Sequence, residues 1–202
     1  MMFKEDVLKL VKREIAIFLI DNNFYKFKRQ FRRDFKDALC LFEFSRVRGE
    51  GNDDTIVLQF WLGIFFNILN PIYRAHTTLD QYVATDADKN LSAVGTGRGP
   101  ELGLWEVRSN TDVGKFIAEF KDVYAPIFAA LDMEACPSLS IDHTVSRIGM
   151  RNLVAAPALV KAAVMAKILH RKNEYLVLKK EIECRSENDV DFFKKKIAMT
   201  DR

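Results

Sequence analysis

Apolar residues at Phe3, Val7, Leu10, Val11 and Phe18 recur at helical spacing, with Lys9, Lys12, Arg13 and Glu14 between them. This pattern predicts an amphipathic helix over residues 3–20, ended by Asp21-Asn22-Asn23. From Phe24 to Phe35 the period changes to two: Tyr25, Phe27, Phe31 and Phe35 alternate with basic or polar residues, as in a strand with one buried face. A second strand is predicted at Ala38 to Arg48 and a third at Thr55 to Phe66, where β-branched and aromatic residues dominate. The turn cluster Gly49-Glu50-Gly51-Asn52-Asp53-Asp54 separates them, so the three segments read as an antiparallel meander.

Asn70-Pro71 closes that unit, and a fourth strand or short helix leads into a polar stretch from Thr77 to Gly103, expected to be an irregular loop with at most one short strand. Trp105 to Val107 returns as a strand. Ser109-Asn110-Thr111-Asp112 offers helix-capping oxygens, and Phe116, Ile117, Phe120, Val123, Tyr124, Phe128 and Leu131 mark the buried face of the helix that follows, with Pro126 expected to kink or end it. A connecting stretch through Cys136, Pro137 and Gly149 precedes Pro157, which sits at a plausible first helical position before the Ala-rich Ala158 to Leu169. Glu174 to Cys184 and Asp189 to Ala198 read as two further helices. The fold class is therefore α+β: an antiparallel sheet of four or five strands, covered on one face by helices 3–20 and 111–130, with a C-terminal helical extension. All of it is expected to form one domain over residues 1–202, with a sheet-and-helix core in 1–150 and the extension in 151–202.

Composition supports a folded chain, since 49% of the residues are hydrophobic and 29% charged. The net charge of +3 does not by itself imply nucleic acid, but its distribution is uneven. Residues 1–36 carry ten Lys/Arg against five Asp/Glu and residues 143–202 carry thirteen against seven, whereas residues 76–142 carry five against eleven. Charge pairing across the folded surface is the simplest use of such an arrangement. Cys40, Cys136 and Cys184 are odd in number and widely spaced, which fits a reducing compartment. The start, Met1-Met2-Phe3-Lys4-Glu5-Asp6, lacks a secretory pattern, and the apolar run Ile56 to Leu69 is too short for a bilayer, so the expectation is a cytoplasmic protein with no membrane partner.

Candidate chemistry narrows further. Gly95-Thr96-Gly97-Arg98-Gly99-Pro100 has glycines that let backbone approach an anion, but Pro100 holds the sixth position of the dinucleotide fingerprint and no Gly-Lys-Ser/Thr follows, so a plain loop is the better reading. His76, His143 and His170 have no His or Cys at metal-ligand spacing, and no metal or cofactor is expected. Asp142-His143 with Ser146 or Cys136 is a weak nucleophile system, because sequence neighbours on a strand point to opposite faces. The pairs Asp53-Asp54 and Asp86 with Asp88 lie in turn-like surroundings, where carboxylates satisfy turns. No catalytic residue is assigned and the chain is read as non-enzymatic. The basic run is the best argument for nucleic acid: strict alternation puts Lys26, Lys28 and Arg32 on one face, and Tyr25, Phe27, Phe31 and Phe35 on the other as core. The same alternation leaves Arg29 and Arg33 on the aromatic face in need of partners.

Several segments also carry a resemblance. They are the leading helix ending at Asn23-Phe24, where Gly-Phe is the usual pair, the Phe31-Arg32-Arg33 strand, Phe42-Glu43-Phe44-Ser45-Arg46, Leu58-Gln59-Phe60-Trp61-Leu62-Gly63-Ile64-Phe65, and Leu104-Trp105-Glu106-Val107 before the helix carrying Tyr124 to Phe128. Over roughly its first two thirds the chain resembles an uncharacterised bacterial domain-of-unknown-function family of small α+β proteins, which look similar to toxin-immunity proteins. The resemblance implies a bacterial protein that binds and blocks a cognate protein toxin. Asp80, Asp86, Asp88 and Glu101 in the acidic middle are the residues expected to face a basic partner. The alternative is a nucleic-acid-binding accessory protein that uses Lys26, Lys28 and Arg32.

Overall fold

The computed structural model describes residues 4–47, 55–91, 104–148 and 154–201. Helix α1 spans Lys4–Asp21, and it ends because the backbone turns left-handed at Asn23, with φ 64°. Phe24 N–H then reaches back to Leu19 O at 3.0 Å and Asn23 N–H to Ile20 O at 3.0 Å, the paired closure of a Schellman cap. Asparagine tolerates this conformation better than other non-glycine residues.

The basic run does not form one strand. It folds as a hairpin of β1 (Tyr25–Phe27) and β2 (Gln30–Asp34), turning at Lys28-Arg29 with Lys28 at φ 53°. The register pairs Tyr25 with Arg32, Lys26 with Phe31 and Phe27 with Gln30. Strands β3 (Ala38–Arg46) and β4 (Thr55–Phe66) follow where their patterns place them. The two-residue β5 (Lys89–Asn90) and β6 (Leu104–Arg108) complete a six-stranded antiparallel sheet, in the order β1-β2-β3-β4-β5 with β6 also on β4. Short helix α2 (Asn70–Tyr73) is followed by α3 (Val113–Glu134), α4 (Pro137–Ser146), α5 (Ala156–Ile168), α6 (Lys172–Glu183) and α7 (Glu187–Ala198).

Two expectations need correction here. Pro126 neither ends α3 nor stops it short, because the helix runs on to Glu134. Pro126 and Asp122, whose carbonyl loses its helical donor, are both exposed, so water can take that bond. The stretch after Cys136 is not a connection but helix α4, which Pro137 opens from a first-turn position.

The chain divides into two compact units, one of residues 1–34, 40–64 and 83–131, the other of residues 35–39, 65–82 and 132–202. In the first, α1 and α3 cover the sheet face that carries Phe42, Phe60 and Trp105. Phe18 meets Phe120 and Phe128 with ring centroids at 5.9 and 5.6 Å, and Phe42 meets Tyr124 edge-on at 5.4 Å. Such edge and offset contacts add to the burial of the rings themselves.

In the second unit α5 is the centre. Ala162 through Ala166 are buried in succession, so the helix is enclosed on every side, and α4, α6 and α7 all pack on it. Alanine lets those helices approach closely. Its exit is a second Schellman closure, with His170 at φ 56° and Arg171 N–H on Ala166 O at 2.8 Å. Arg171 then bonds Ser138 O at 2.9 Å and the carboxylates of Asp142 and Glu174, each at 2.5 Å, which ties α4 to α6. Those two bonds, to Asp142 first, raise the Arg171 pKa above its ordinary value. Glu174 is held below the usual carboxylate range by its own backbone N–H and by Arg171.

Candidate functional site

The hairpin decides what the basic run can do. Because Tyr25, Phe27, Gln30 and Arg32 are cross-strand neighbours, they share one face, and Lys26 shares the other with Phe31. The expected grouping of Lys26, Lys28 and Arg32 is therefore not formed. Arg32 is only 3% exposed, its guanidinium 3.7 Å from the centroid of Phe27 and 2.9 Å from Gln30 Oε1. Gln30 passes the interaction on, since its Nε2 donates to Glu43 Oε1 at 2.5 Å while Glu43 Oε2 accepts the Ala84 N–H at 2.7 Å. A buried guanidinium thus reaches a carboxylate through one amide, and a stacked ring covers it. Arg32 is consumed by the fold and leaves no group for a phosphate.

The rings are distributed differently from the expectation as well. Phe31 is core, but Tyr25 is exposed with its hydroxyl donating to Asp34 at 2.9 Å, and Phe27 and Phe35 are half-buried. Lys28 lies at the turn, with Nζ 5.6 Å from the Phe27 ring. Arg33 points to the helix-covered side, where Nη1 donates to Asn22 O at 3.5 Å, while Arg29 is exposed at the hairpin tip.

The described acidic candidates belong to both units. Asp80 is exposed in the second unit, accepting the Thr78 hydroxyl at 2.5 Å beside a capping box of Thr78 and Gln81. Asp86 and Asp88 belong to the first unit. Asp86 ends the 3-10 turn Ala84–Asp86, and Asp88 N–H donates to Ile64 O at 2.9 Å. Glu101, the Gly95 to Pro100 loop and Asp53-Asp54 lie outside the described residues. His76, His143 and His170 are exposed and separate, and among the described residues no group of three His, Cys, Asp or Glu could hold a metal.

Two groups are displaced in their protonation by burial, alone or chiefly so. Burial pushes the Cys40 thiol and the Tyr124 hydroxyl well above their usual range, both beneath the sheet–helix interface. A thiol so held is unreactive. Alkylation of the native protein at mildly alkaline pH is expected at exposed Cys184, with Cys40 labelled only after unfolding; peptide mass spectrometry reads the order.

A groove that no pattern in the sequence announces lies in the first unit, between β6 and the first turns of α3. It has a volume of about 480 Å³ and is lined by Glu106 and Arg108 of β6, by Asn110, Thr111 and Asp112 of the turn, and by Lys115, Phe116 and Glu119 of α3. The turn is rigid. Thr111 Oγ1 accepts the Arg108 N–H at 2.7 Å, and Asp112 Oδ1 caps α3 by accepting the Lys115 N–H at 3.1 Å. Arg108 pairs with Glu106 at 2.6 Å. Beneath the groove Phe116 packs on Trp105 at 5.2 Å, which joins its floor to the aromatic core. Its cap residues are plain in the sequence, but that they flank a groove depends on where β6 lies in the sheet.

The molecule is thus an α+β protein with an open, charge-lined groove at one side of its sheet. No protein-family model, curated protein or solved structure matches the chain. Among the described residues no helix is long and apolar enough to cross a membrane.

Proposed function

We propose that this chain acts by binding another protein rather than by catalysis, that the β6–α3 groove is the contact surface, and that the partner is a toxin which the chain neutralises. The supporting observation is the make-up of the groove: three carboxylates and two cations fixed on one strand, one capped turn and one helix. Small-molecule sites are enclosed and mostly apolar, whereas an open surface of mixed sign suits recognition of a charged protein surface. The packed rings under it keep the backbone from having to reorganise on binding, which removes one cost of association.

Co-purification of the tagged chain with the product of an adjacent gene, together with rescue of cells expressing that product, tests this. Glu119→Lys is expected to weaken the complex roughly tenfold or more, a loss of about 1.4 kcal/mol, chiefly through slower association at low salt. A neighbour that is not retained, or one that binds Glu119→Lys as tightly as the parent, overturns the proposal.

A further inference from the structure

We infer that the groove takes its partner as an added β-strand paired to the outer edge of β6 and centred on Glu106, the partner segment carrying alternating basic and apolar residues. This deepens the protein-binding reading above and rests on it.

The hydrogen bonds show which backbone groups of β6 face outward. Glu106 lies opposite Val57 of β4. Val57 O accepts the Val47 N–H at 2.9 Å, so Val57 turns its backbone toward the β3 side, away from β6. Residues opposite each other in an antiparallel ladder either exchange both bonds or neither, so the backbone of Glu106 also points away from β4. Arg108, two residues on, confirms the parity: its N–H goes to Thr111 Oγ1 at 2.7 Å and its carbonyl to Thr111 N at 3.1 Å, both outside the ladder. Thr111 therefore closes the edge at Arg108. At Glu106, among the described residues, nothing takes up the outward N–H and C=O. A strand edge of this kind is a template for another chain.

The groove lies along that open edge. Trp105 and Val107 turn to the buried face, where Trp105 meets Phe116 of α3 and α1 packs on the strand, and Glu106 and Arg108 turn to the opposite one. A groove lined by Glu106 and Arg108 as well as by Lys115, Phe116 and Glu119 must pass around the side of β6.

Charge selects the occupant. Carboxylates outnumber cations in the lining, and the partner residue directly across from Glu106 shares its face, so a lysine or arginine is favoured there. Its sequence neighbour faces α3 over the Phe116 ring, where an apolar side chain fits. A second copy of this chain is a poor occupant, because the register centred on Glu106 sets Glu106 against Glu106, and the one that sets it against Arg108 meets the edge that Thr111 closes.

The test uses the full chain and a short capped peptide of alternating lysine and valine, labelled for fluorescence anisotropy. Two further peptides carry N-methyl groups on every lysine or on every valine nitrogen, with charge unchanged. The expected result is saturable binding, reduced tenfold or more by lysine N-methylation and little changed by valine N-methylation. Glu106→Pro should lower binding of the parent peptide similarly while leaving the melting curve in place, because the lost N–H faces away from β4. If Glu106→Pro does not fold, the two methylated peptides still decide. Equal binding by both methylated peptides, or no binding of the parent peptide, overturns the strand-addition mode. So does a dimer in sedimentation that Glu106→Pro dissolves. The protein-binding reading is judged separately, by retention of the adjacent gene product and its weakening by Glu119→Lys.

Discussion

Phe120→Ala is expected to destabilise the first unit by about 3–5 kcal/mol, the range for emptying a large aromatic site in a packed core. Phe120 is fully buried, and its ring lies within 4.6 to 6.1 Å of five others: Tyr124, Phe60, Phe18, Trp105 and Phe42. These come from α1, α3, β3, β4 and β6, so no single element can move to fill the void. Phe44→Ala is the comparison. That residue is half-buried beside Phe60 and under Lys12 Nζ at 5.7 Å, and water can enter the space it vacates, so its cost should be clearly smaller. Urea denaturation read by tryptophan fluorescence separates the two, because Trp105 is itself in the cluster. Equal midpoints would mean that the ring network does not hold α3 on the sheet. The same substitution should loosen Lys115 and Glu119, which stand on the preceding turns of α3.

Most of this architecture can be read from spacing. α1 and α3 follow from apolar residues at period 3.6 and β3 and β4 from runs rich in aromatic, leucine and β-branched residues, and β4 begins at Thr55 and ends at Phe66 as its pattern indicates. The hairpin within residues 25–34 was hidden because its turn uses Lys28-Arg29, with neither the glycine nor the asparagine that usually carries a positive φ. The turn shifts the alternation by one residue, so Phe31 and Arg33 keep the core side while Tyr25 and Phe27, before the turn, lie on the other face with Gln30 and Arg32. Strict alternation leaves Arg32 with Lys26 and Lys28 and away from Phe27, whereas the hairpin brings Phe27 onto its face and packs the guanidinium on that ring. α4 was missed although Pro137 opens it in the same way that Pro157 opens α5, since a ten-residue helix with only Ile141 and Ser140 buried beyond its proline writes a weak periodicity. The groove has a different cause. Its residues carry no pattern of their own, and that β6 pairs with β4 alone among the described strands follows from strand order, which no local pattern encodes.

Gly63 shows the same limit in a single residue and sets the second large effect. In β4 it reads as an interruption of an apolar run, yet the structure uses its missing side chain as space. A Cβ built there would collide with Ala87 Cβ and lie 2.7 Å from Ala84 O, because the 3-10 turn at Ala84–Asp86 crosses directly over it. That turn is held from two sides: Ala84 N–H bonds Glu43 at 2.7 Å, and Asp88 N–H bonds Ile64 O at 2.9 Å. Gly63→Ala should therefore cost about 1–3 kcal/mol, and Gly63→Val more, since the neighbour that must yield is backbone as well as methyl. Relief by Ala87→Gly in the Gly63→Ala chain should be partial: it removes the methyl contact and leaves the carbonyl. Hydrogen exchange supplies the structural readout. If the strain displaces the turn, the Ala84 and Asp88 amides lose protection together in Gly63→Ala while the amides at the start of β4 keep theirs. A Gly63→Ala chain with parental stability and undisturbed amides would mean that the turn does not rest on β4.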